Sequence, residues 1–372
     1  MKFCFWGEIG NAIRGRTIGG GELQMALLGK ALVKEGHEVV VIDPFIEESF
    51  TSEEGIRVLK VENWHKGLPG LRMLTHRIPA LYKLFKEQHA DYYYLRMRTY
   101  LHGLAYMAAR KNKAKVIVAL ASDIDVATHT RRFKYDYKSR VNLFTYLFKC
   151  LPDDIVYNYV VKRADIVTLQ HKHQHNGLKL KHGRMQLFPN IFDFSKAPAQ
   201  QSERGEYYIS VGSLTVLKGV DHLSHLARLL DKNVQLMIVG DPRNKAAAGY
   251  YVEMQQLPHV TLKGRLAHDE TIRLIAGSKA LVNVSRFEGF PNIFLEAWAN
   301  GIPVISLHVD PGEIIAENGL GIFCHGDIQQ MKRCIESGEI ARIDRNKLVS
   351  YARQFHDFSG AGARFIKMLE SK

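Results

Sequence analysis

The sequence predicts an α/β protein built from two doubly wound domains. With 372 residues the chain is too long for one ordinary domain and suits two of roughly 150–200 residues each. Residues 3–42 run strand, glycine-rich loop, helix, strand, which is how a doubly wound half opens. Residues 280–305 form a second βαβ pattern, so the sheet there should be parallel.

The first half begins with a buried strand at Phe3–Trp6 and a helix over Glu22–Lys34. The loop between them carries Gly20 and Gly21, and its glycines do not fit the G-x-G-x-x-G dinucleotide fingerprint. Glycines at a helix start still let a backbone approach a ligand closely; the alternative is a flexible turn without a ligand. Short apolar or β-branched runs predict further strands at His37–Ile42, Ile56–Val61, Tyr92–Met97, Lys115–Leu120 and Asp165–Leu169.

The second half shows the same strand patterns after a polar segment. Residues 196–206 are the best linker because they are polar and contain no strand or helix pattern. Strands are predicted at Tyr207–Val211, Gln235–Val239 and Val260–Leu262.

The composition bounds the partners and the compartment. The net charge is +13 and the isoelectric point about 9.4, which implies an acidic partner. The four cysteines have no C-x-x-C spacing, which is typical of reduced thiols in a cytosolic protein. The first apolar run ends too soon, at Gly7 and Glu8, for a signal peptide, and no run of about eighteen apolar residues predicts a membrane span.

The most informative stretch is 280–305. Gly289 and Pro291 mark a turn into a helix, and proline suits the first helical position because it has no N–H. The free amides of that helix start would face an anion, with a phosphate expected. Glu288 precedes the helix and Glu296 lies roughly 7 Å further along it, so the two carboxylates could accept hydrogen bonds from different sugar hydroxyls. The alternative is an ordinary turn residue at 288 and a solvated helix face at 296.

Glu288 through Glu296 resembles the Glu-x7-Glu motif of the retaining glycosyltransferases of family 4. Residues 296–305 resemble that family's E-A-[MW]-A-x-G-x-P-V-[IV] continuation. The resemblance covers 207–323 well and the first domain in outline. It implies the GT-B fold, in which two Rossmann-like domains face a cleft and the second domain holds most of the donor.

The resemblance also implies a domain plan. Residues 1–195 would be the Rossmann-like acceptor domain, 196–206 the linker and 207–345 the Rossmann-like nucleotide-sugar domain. Residues 346–372 would form an amphipathic helix that crosses back to the first domain.

Individual residues receive roles from the same resemblance. Glu296 would accept hydrogen bonds from the donor's ribose, and Glu288 would contact the transferred sugar. Lys218 matches the lysine of the family's G-R-L-x-x-x-K-G turn, which grips the donor diphosphate, whereas Ser213 stands where its arginine is expected. Glu288 and Lys218 are the catalytic candidates. Further donor-binding candidates are Gly20, Gly21, Gly212, Ser213, Gly264, Gly289, Phe290, Asn292 and Ile293.

The implied reaction is front-face transfer of a hexose from a nucleotide diphosphate sugar to a hydroxyl, without an enzyme nucleophile. It requires no metal or other cofactor, because Lys218 and the helix start offset the charge of the leaving group. His171 and His175 lack a third ligand, so no metal site is predicted there. The sequence leaves the nucleotide, the sugar, the linkage and the oligomeric state open.

Two aspartates are candidates for acceptor binding. Asp123 and Asp125 follow the strand Lys115–Leu120, and loops at the carboxyl ends of such strands face the crevice. Acceptor contacts or general-base chemistry would fit them. The alternative for each is a helix cap or a turn.

Two basic, aromatic segments, Trp64–Lys86 and Arg131–Cys150, predict peripheral attachment to an anionic inner membrane leaflet. A lipid-linked cell-surface glycan is then the expected acceptor, against the alternative of packed surface helices and a soluble acceptor. A sugar-nucleotide epimerase or hydrolase of the same fold is the second candidate. A basic nucleic-acid-binding protein is the third, but the chain lacks helix-turn-helix, RNA-recognition and zinc signatures, so no nucleic-acid partner is predicted.

Overall fold

The computed structural model describes residues 1–16, 19–69, 71–127, 143–178, 180, 184–196 and 205–371. They form two compact units. Unit 1 comprises Met1–Ile191 and Phe358–Lys372, and unit 2 comprises Phe192–Asp357. Each unit is an α/β domain with a mainly parallel sheet, which confirms the predicted fold class. Residues 197–204 of the predicted linker and 131–142 of the predicted basic segment lie outside the described residues.

Unit 1 alternates strands with helices. Its strands are β1 (Lys2–Trp6), β2 (Glu38–Asp43), β3 (Phe50–Thr51), β4 (Arg57–Lys60), β5 (Tyr92–Arg96), β6 (Lys115–Ala119), β7 (Ile166–Leu169) and β8 (Met185–Leu187). Its α-helices before residue 192 are α1 (Gly10–Ile13), α2 (Gly20–Lys34), α3 (Ile78–Glu87), α4 (His102–Lys111), α5 (Leu143–Thr145) and α6 (Leu151–Arg163). Short π-helical turns at Met73–Arg77 and Tyr146–Cys150 precede α3 and α6, and 3₁₀ turns cover Asp123–Asp125 and Lys172–Gly177.

Among the described residues, the sheet of unit 1 has eight strands in the order β3-β4-β2-β1-β5-β6-β7-β8. Every neighbouring pair is parallel except β3 and β4. The direction of winding reverses between β1 and β5, since β1 continues to β2 on one side and β5 to β6 on the other. The carboxyl ends of β1 and β5 therefore mark a topological switch point, where ligands bind in sheets of this kind.

The core of unit 1 lies on both faces of its sheet. In β1 the side chains of Phe3 and Phe5 join one buried cluster, and those of Cys4 and Trp6 join the other. Successive side chains of a strand point to opposite faces, so a sheet covered on both sides needs apolar residues at every position. This is why its strands read as continuous apolar runs.

Unit 2 repeats the pattern. Its strands are β9 (Tyr207–Val211), β10 (Gln235–Val239), β11 (Val260–Gly264), β12 (Leu281–Asn283), β13 (Val304–Ser306) and β14 (Gly321–Phe323). Its α-helices are α7 (Val220–Leu229), α8 (Lys245–Gln255), α9 (His268–Ala276), α10 (Asn292–Ala299), α11 (Ile314–Asn318), α12 (Ile328–Ser337) and α13 (Arg345–His356). 3₁₀ turns cover Phe194–Lys196, Pro311–Glu313 and Glu339–Arg342.

In the described part of unit 2 all six strands are parallel, in the order β11-β10-β9-β12-β13-β14. The predicted parallel βαβ unit is confirmed: β12 and β13 pair with Leu281 opposite Val304, and α10 connects them. All six carboxyl ends meet at one edge of the sheet, and the winding reverses between β9 and β12. The loops after β9 and β12 therefore lie at the second switch point.

The C-terminal segment is two helices, where one was predicted. α13 packs on α10 in unit 2, whereas a final helix, α14 (Ala361–Glu370), packs on α2 in unit 1. The helical path breaks because Asp357 is extended and Gly360, at φ +72°, is left-handed, a conformation that glycine adopts without strain. The ring of Phe365 in α14 contacts those of Tyr94 and Phe188, with centroids 6.0 and 4.9 Å away.

Unit 2 also begins earlier than predicted, at Phe192 instead of residue 207. Phe192 forms an isolated parallel bridge with Asp357, and its amide donates a hydrogen bond to the His356 carbonyl at 2.7 Å. The chain therefore leaves unit 1 at Phe192 and returns to it after Asp357, and these two segments are adjacent. No helix in the described ranges is long and apolar enough to cross a membrane.

Candidate functional site

The candidate site lies at the carboxyl edge of the sheet in unit 2, where the loops after β9 and β12 touch. Gly219 closes the first loop at φ +74°, and a β-carbon there would lie 2.0 Å from the carbonyl oxygen of Val284. Only glycine permits this approach. The contact places Lys218, the residue before it, against the loop that carries Glu288.

Lys218 and Glu288 form an ion pair between Nζ and Oε1. The Lys218 amide donates to the Thr215 hydroxyl at 3.2 Å, which fixes the turn that presents the lysine. The lysine side chain is partly exposed, and the glutamate is more buried. The two predicted catalytic residues are thus in direct contact.

Glu296 lies on α10 and is only 7% exposed. Burial raises the pKa of its carboxyl group to about 7. Within the described part of the chain no donor bonds this carboxylate, although the Asn300 side chain donates to the Glu296 backbone carbonyl at 2.7 Å. The alternative interpretation of Glu296, a residue on a solvated helix face, is therefore wrong.

The start of α10 differs in one detail from the prediction. Pro291 is extended, with ψ 121°, and precedes the helix as its N-cap, so Asn292 is the first helical residue. The amides at the beginning of an α-helix have no intrahelical acceptor, so this end of α10 attracts negative charge, and the anion site there stays a prediction. Asn292 and Ile293 are half-buried there.

Gly289 and Phe290 are buried beneath the same loop. The Phe290 ring packs edge-on against Trp298, with centroids 6.2 Å apart, and lies 4.9 Å from the His356 ring. The Phe290 side chain thus packs in the core of unit 2. Only its backbone would be left for the donor contact predicted at this position.

Three further candidates follow other strands of this sheet. Gly212 follows β9, its amide donates to the Val239 carbonyl at 3.0 Å, and the space next to its α-carbon is open. Ser213 beside it is half-buried. Gly264 ends β11 at φ +64°, and its carbonyl accepts from the Gly240 amide at 2.8 Å. All three lie at the carboxyl edge that also carries Lys218.

Arg286 is a basic residue that sequence reasoning missed. It stands two positions before Glu288, its amide donates to the Leu217 carbonyl at 3.0 Å, and its Nη1 donates to Asp221 at 2.7 Å. Burial alone would raise the pKa of Asp221, but the hydrogen bonds and the charge of Arg286 lower it. A second cation thus lies against the lysine loop, although Ser213 replaces the expected arginine. The signal available in the sequence was a basic residue two positions before the Glu288–Glu296 motif.

The remaining candidates belong to unit 1. Gly20 and Gly21 open α2, and a β-carbon on Gly21 would approach the Met97 sulfur to 3.3 Å. Asp125 caps its own 3₁₀ turn by accepting from the Ala121 and Ser122 amides at 2.9 and 3.0 Å, which matches the alternative interpretation.

Asp123 has a different environment. Its Oδ1 accepts hydrogen bonds from His171 Nε2 at 2.9 Å and from Gln174 Nε2 at 3.0 Å, and its side chain remains partly exposed. His171 is therefore engaged with a carboxylate. Among the described residues, no group of three or more histidines, cysteines, aspartates or glutamates is arranged to hold a metal ion.

Family models of glycosyltransferases match both units. The model described as "Glycosyl transferases group 1" matches residues 192–355, and the model described as "Glycosyltransferase Family 4" matches residues 18–158. An uncharacterized glycosyltransferase of Methanocaldococcus jannaschii is 34% identical over 113 residues, which are 30% of this chain and 32% of that relative. The matched stretch thus spans about a third of the length of the curated relative.

Solved structures resemble the chain over nearly its whole length. Anabaena Alr3699/HepE, in complex with UDP and glucose, superposes with a TM-score of 0.71 at 16% identity and covers 100% of both chains. Sucrose-phosphate synthase from Thermosynechococcus elongatus gives 0.74 at 15% identity, covering 99% of this chain and 98% of that one. The lipopolysaccharide outer core galactosyltransferase WaaB gives 0.67 at 18% identity, covering 100% and 99%. Both units of the chain are therefore those of a glycosyltransferase, and they are the two Rossmann-like domains of the GT-B fold.

Proposed function

We propose that the protein is a retaining glycosyltransferase that moves a hexose from a nucleotide diphosphate sugar to a hydroxyl group. The observation that carries this proposal is the buried carboxylate of Glu296, for which no described residue supplies a hydrogen bond, in the same loop–helix segment as the Lys218–Glu288 ion pair. A buried carboxylate without donors is unfavourable until a ligand supplies them. The hydroxyls of a ribose are donors of the required kind.

Lys218 would bind the donor diphosphate. Its charge and the amides at the start of α10 would stabilise the negative charge that grows on the diphosphate as the bond to the sugar breaks. The proposal needs no metal, because these groups already offset that charge. Glu288 would contact the transferred sugar, and its ion pair would orient the lysine before the donor arrives.

A nucleotide sugar as donor is supported by the neighbours solved with UDP, with UDP and glucose, and with UDP-glucose. In the proposed reaction the acceptor hydroxyl attacks the same face of the sugar that the diphosphate leaves. The bond from the anomeric carbon to the diphosphate breaks as the bond to the acceptor oxygen forms, and the proton of the acceptor hydroxyl passes to the departing diphosphate oxygen. The configuration is retained, and no covalent bond to the enzyme is made.

The acceptor would be a lipid-linked glycan at an anionic membrane surface. Large apolar side chains of unit 1 face solvent beside basic ones: Leu74 is 67% exposed near Arg72 and Arg77, and Phe144 is 69% exposed near Lys149. The two segments that carry them lead into α3 and α6, which both pack on α4. Exposed apolar groups combined with positive charge suit the interface of an anionic bilayer.

Thermal-shift and calorimetric titration with UDP-, GDP- and ADP-sugars test the donor site directly. One nucleotide sugar should stabilise the wild-type protein, and Glu296→Ala should weaken its binding by roughly ten- to a hundredfold, as expected for lost hydrogen bonds to a charged group. Glu270→Ala, which removes an exposed carboxylate from the neighbouring helix α9, is the matched control. An unchanged dissociation constant in Glu296→Ala would refute the assignment.

A further inference from the structure

A polar cluster lies at the carboxyl edge of the sheet in unit 1, apart from the groups that the proposed reaction uses. Its members end or follow four neighbouring strands, β5, β6, β7 and β8, and all but one are buried. We call it the edge cluster, and it consists of Arg96, Asp123, Gln170, His171, Gln174 and Asn190.

Hydrogen bonds within the edge cluster engage one oxygen of its carboxylate. Asp123, its partly exposed member, accepts from His171 and Gln174 through Oδ1. The Gln170 amide nitrogen donates to Asn190 Oδ1 at 2.9 Å, and the Gln170 backbone amide donates to the Gln174 side chain at 2.8 Å. Asp123 is thus bonded to residues that follow β7, and not to Arg96.

Arg96 is the unmatched member. Its side chain is 7% exposed, and in the described part of the chain it makes one hydrogen bond, from Nη2 to Asn190 Oδ1 at 3.1 Å. Its Nε is buried without a partner. No carboxylate of the described residues forms an ion pair with it. A guanidinium stays charged at all relevant pH values, and a buried charge without a counter-charge is strongly unfavourable.

The backbone holds Arg96 in this position. The next residue, Met97, is left-handed at φ +65°, which is strained for a residue with a side chain and is typical of functional sites. The turn sends the following arginine, Arg98, to a different partner, the buried carboxylate of Asp154, at 3.4 Å. The two arginines of this short segment thus have different environments. Arg98 is paired with a carboxylate, whereas the charge of Arg96 has no carboxylate partner among the described residues and lies at the switch point beside β1.

We infer that Arg96 is the anion-binding residue of an acceptor site in unit 1, and that the acceptor carries a carboxylate or a phosphate group. A planar guanidinium binds either group through two parallel hydrogen bonds, and Asn190, which also accepts from Gln170, holds one guanidinium nitrogen of Arg96 in place. The ligand class is an acidic or phosphorylated sugar. This inference rests on the proposed function, since it assigns acceptor binding to unit 1.

The test measures binding of small probes to the full chain by saturation-transfer NMR. The probes are methyl glucuronide, glycerol 1-phosphate and the neutral methyl glucoside, which separate a carboxylate source from a phosphate source. At least one acidic probe should bind the wild-type protein at least tenfold more tightly than methyl glucoside. Arg96→Gln should abolish that preference, and Arg96→Lys, which keeps the charge but not the planar fork, should retain part of it. Arg110→Gln is the matched control, because Arg110 is already paired with Asp165 at 3.0 Å.

Two outcomes would overturn the inference: equal binding of all three probes by the wild-type protein, or an acid preference that survives in a folded Arg96→Gln variant. Should Arg96→Gln fail to fold, the wild-type preference and the Arg96→Lys variant still decide the question. Binding of the UDP-, GDP- and ADP-sugars is measured in the same samples. A wild-type protein that binds one of these nucleotide sugars but shows no acid preference refutes only the anion site, whereas an acid preference without binding of any nucleotide sugar refutes only the proposed function.

Discussion

Lys218 and Glu288, 70 positions apart in the chain, form an ion pair at the carboxyl edge of the sheet in unit 2. The contact exists because Gly219 lets the lysine loop rest on the backbone after β12. In this structure Glu288 is paired with Lys218, the cation that would bind the donor diphosphate in the proposed reaction. Binding of the diphosphate must therefore share or displace this partner.

Lys218→Ala should lower turnover by roughly a hundredfold or more and donor affinity by much less, because charge on the leaving group grows in the transition state. Steady-state kinetics combined with calorimetry measure both quantities. Lys279→Ala, which removes another lysine from an ion pair with Glu206, is the control and should change neither. Equal losses in turnover and affinity would point to ground-state binding alone.

Donor binding should depend on pH through Glu296. Burial raises the pKa of its carboxyl group to about 7, and ribose hydroxyls bond the ionised form. The affinity for a nucleotide sugar should therefore be constant above about pH 7 and fall by about tenfold for each pH unit below it. Calorimetry measures the dissociation constant between about pH 5.5 and 8.5, a range that extends about 1.5 units on either side of that pKa. Glu296→Gln should remove the dependence, and an unaltered pH profile in that variant would contradict the role of Glu296.

The same carboxyl group should affect stability. Its pKa rises from 4.5 in the unfolded chain to about 7 in the folded protein, so the folded state binds the proton more tightly. The free energy of unfolding should therefore fall as pH rises from about 4.5 to 7. Glu296→Gln cannot ionise, so above pH 7 it should be more stable than the wild type by up to about 3 kcal/mol, and near pH 4 the two should match. Denaturant unfolding without donor at both pH values measures the difference; a variant less stable at high pH would disprove it.

Gly219→Ala should destabilise unit 2. The left-handed backbone and the approach to the Val284 carbonyl leave no room for a methyl group, and the expected loss is about 2–4 kcal/mol. Gly249→Ala is the control, since this exposed glycine lies in α8 with open space around it and should gain about 0.4–1 kcal/mol. Urea unfolding followed by circular dichroism measures both changes. Similar effects of the two substitutions would show that the loop contact is not tight.

Membrane attachment should depend on charge and on exposed apolar side chains. Leu74→Ser together with Phe144→Ser and Phe148→Ser should reduce co-sedimentation with anionic vesicles, and the reduction should persist at high salt because it removes apolar contacts. Val252→Ser, an exposed apolar position on α8 in unit 2, is the control. Four basic residues outside the described ranges can be tested by reversing their charge to Glu: Arg131, Arg132, Lys134 and Lys138. These changes should also reduce vesicle binding, by about 1 kcal/mol for each engaged side chain. Equal recovery with zwitterionic vesicles would rule out these segments as the anchor.

Local patterns were enough to predict most of the sheet. β9 and β10 have the predicted boundaries, and other strands differ by one or two residues, because buried parallel strands must be apolar throughout. β3 and β8 were missed. β3 is a two-residue antiparallel edge strand and β8 is only partly buried, so neither carries a pattern that a sequence can show.

The site was predictable only as far as its residues are neighbours in the chain. Glu288, Glu296 and the helix between them belong to one local motif, so their placement followed from spacing. The burial of Glu296 did not, because it depends on how α10 packs within unit 2. The ion pair between Arg286 and Asp221 likewise joins the loop after β12 to the first turn of α7, 65 positions away in the chain. Pairings of this kind arise from tertiary contacts that periodicity does not encode.

The final helix, α14, also sets the order in which the protein can mature during synthesis. The ring of Phe365 completes an aromatic cluster through edge-to-face contacts with Tyr94 and Phe188, both of which are translated much earlier. All residues of unit 2 are translated before Phe358, whereas the core of unit 1 still lacks α14 at that point. The N-terminal half, although translated first, is the last to be finished, and it must stay open to its own C-terminus while the other half folds. Truncation before Phe358 would leave this aromatic cluster uncovered, and the apolar surface exposed in unit 1 would favour aggregation.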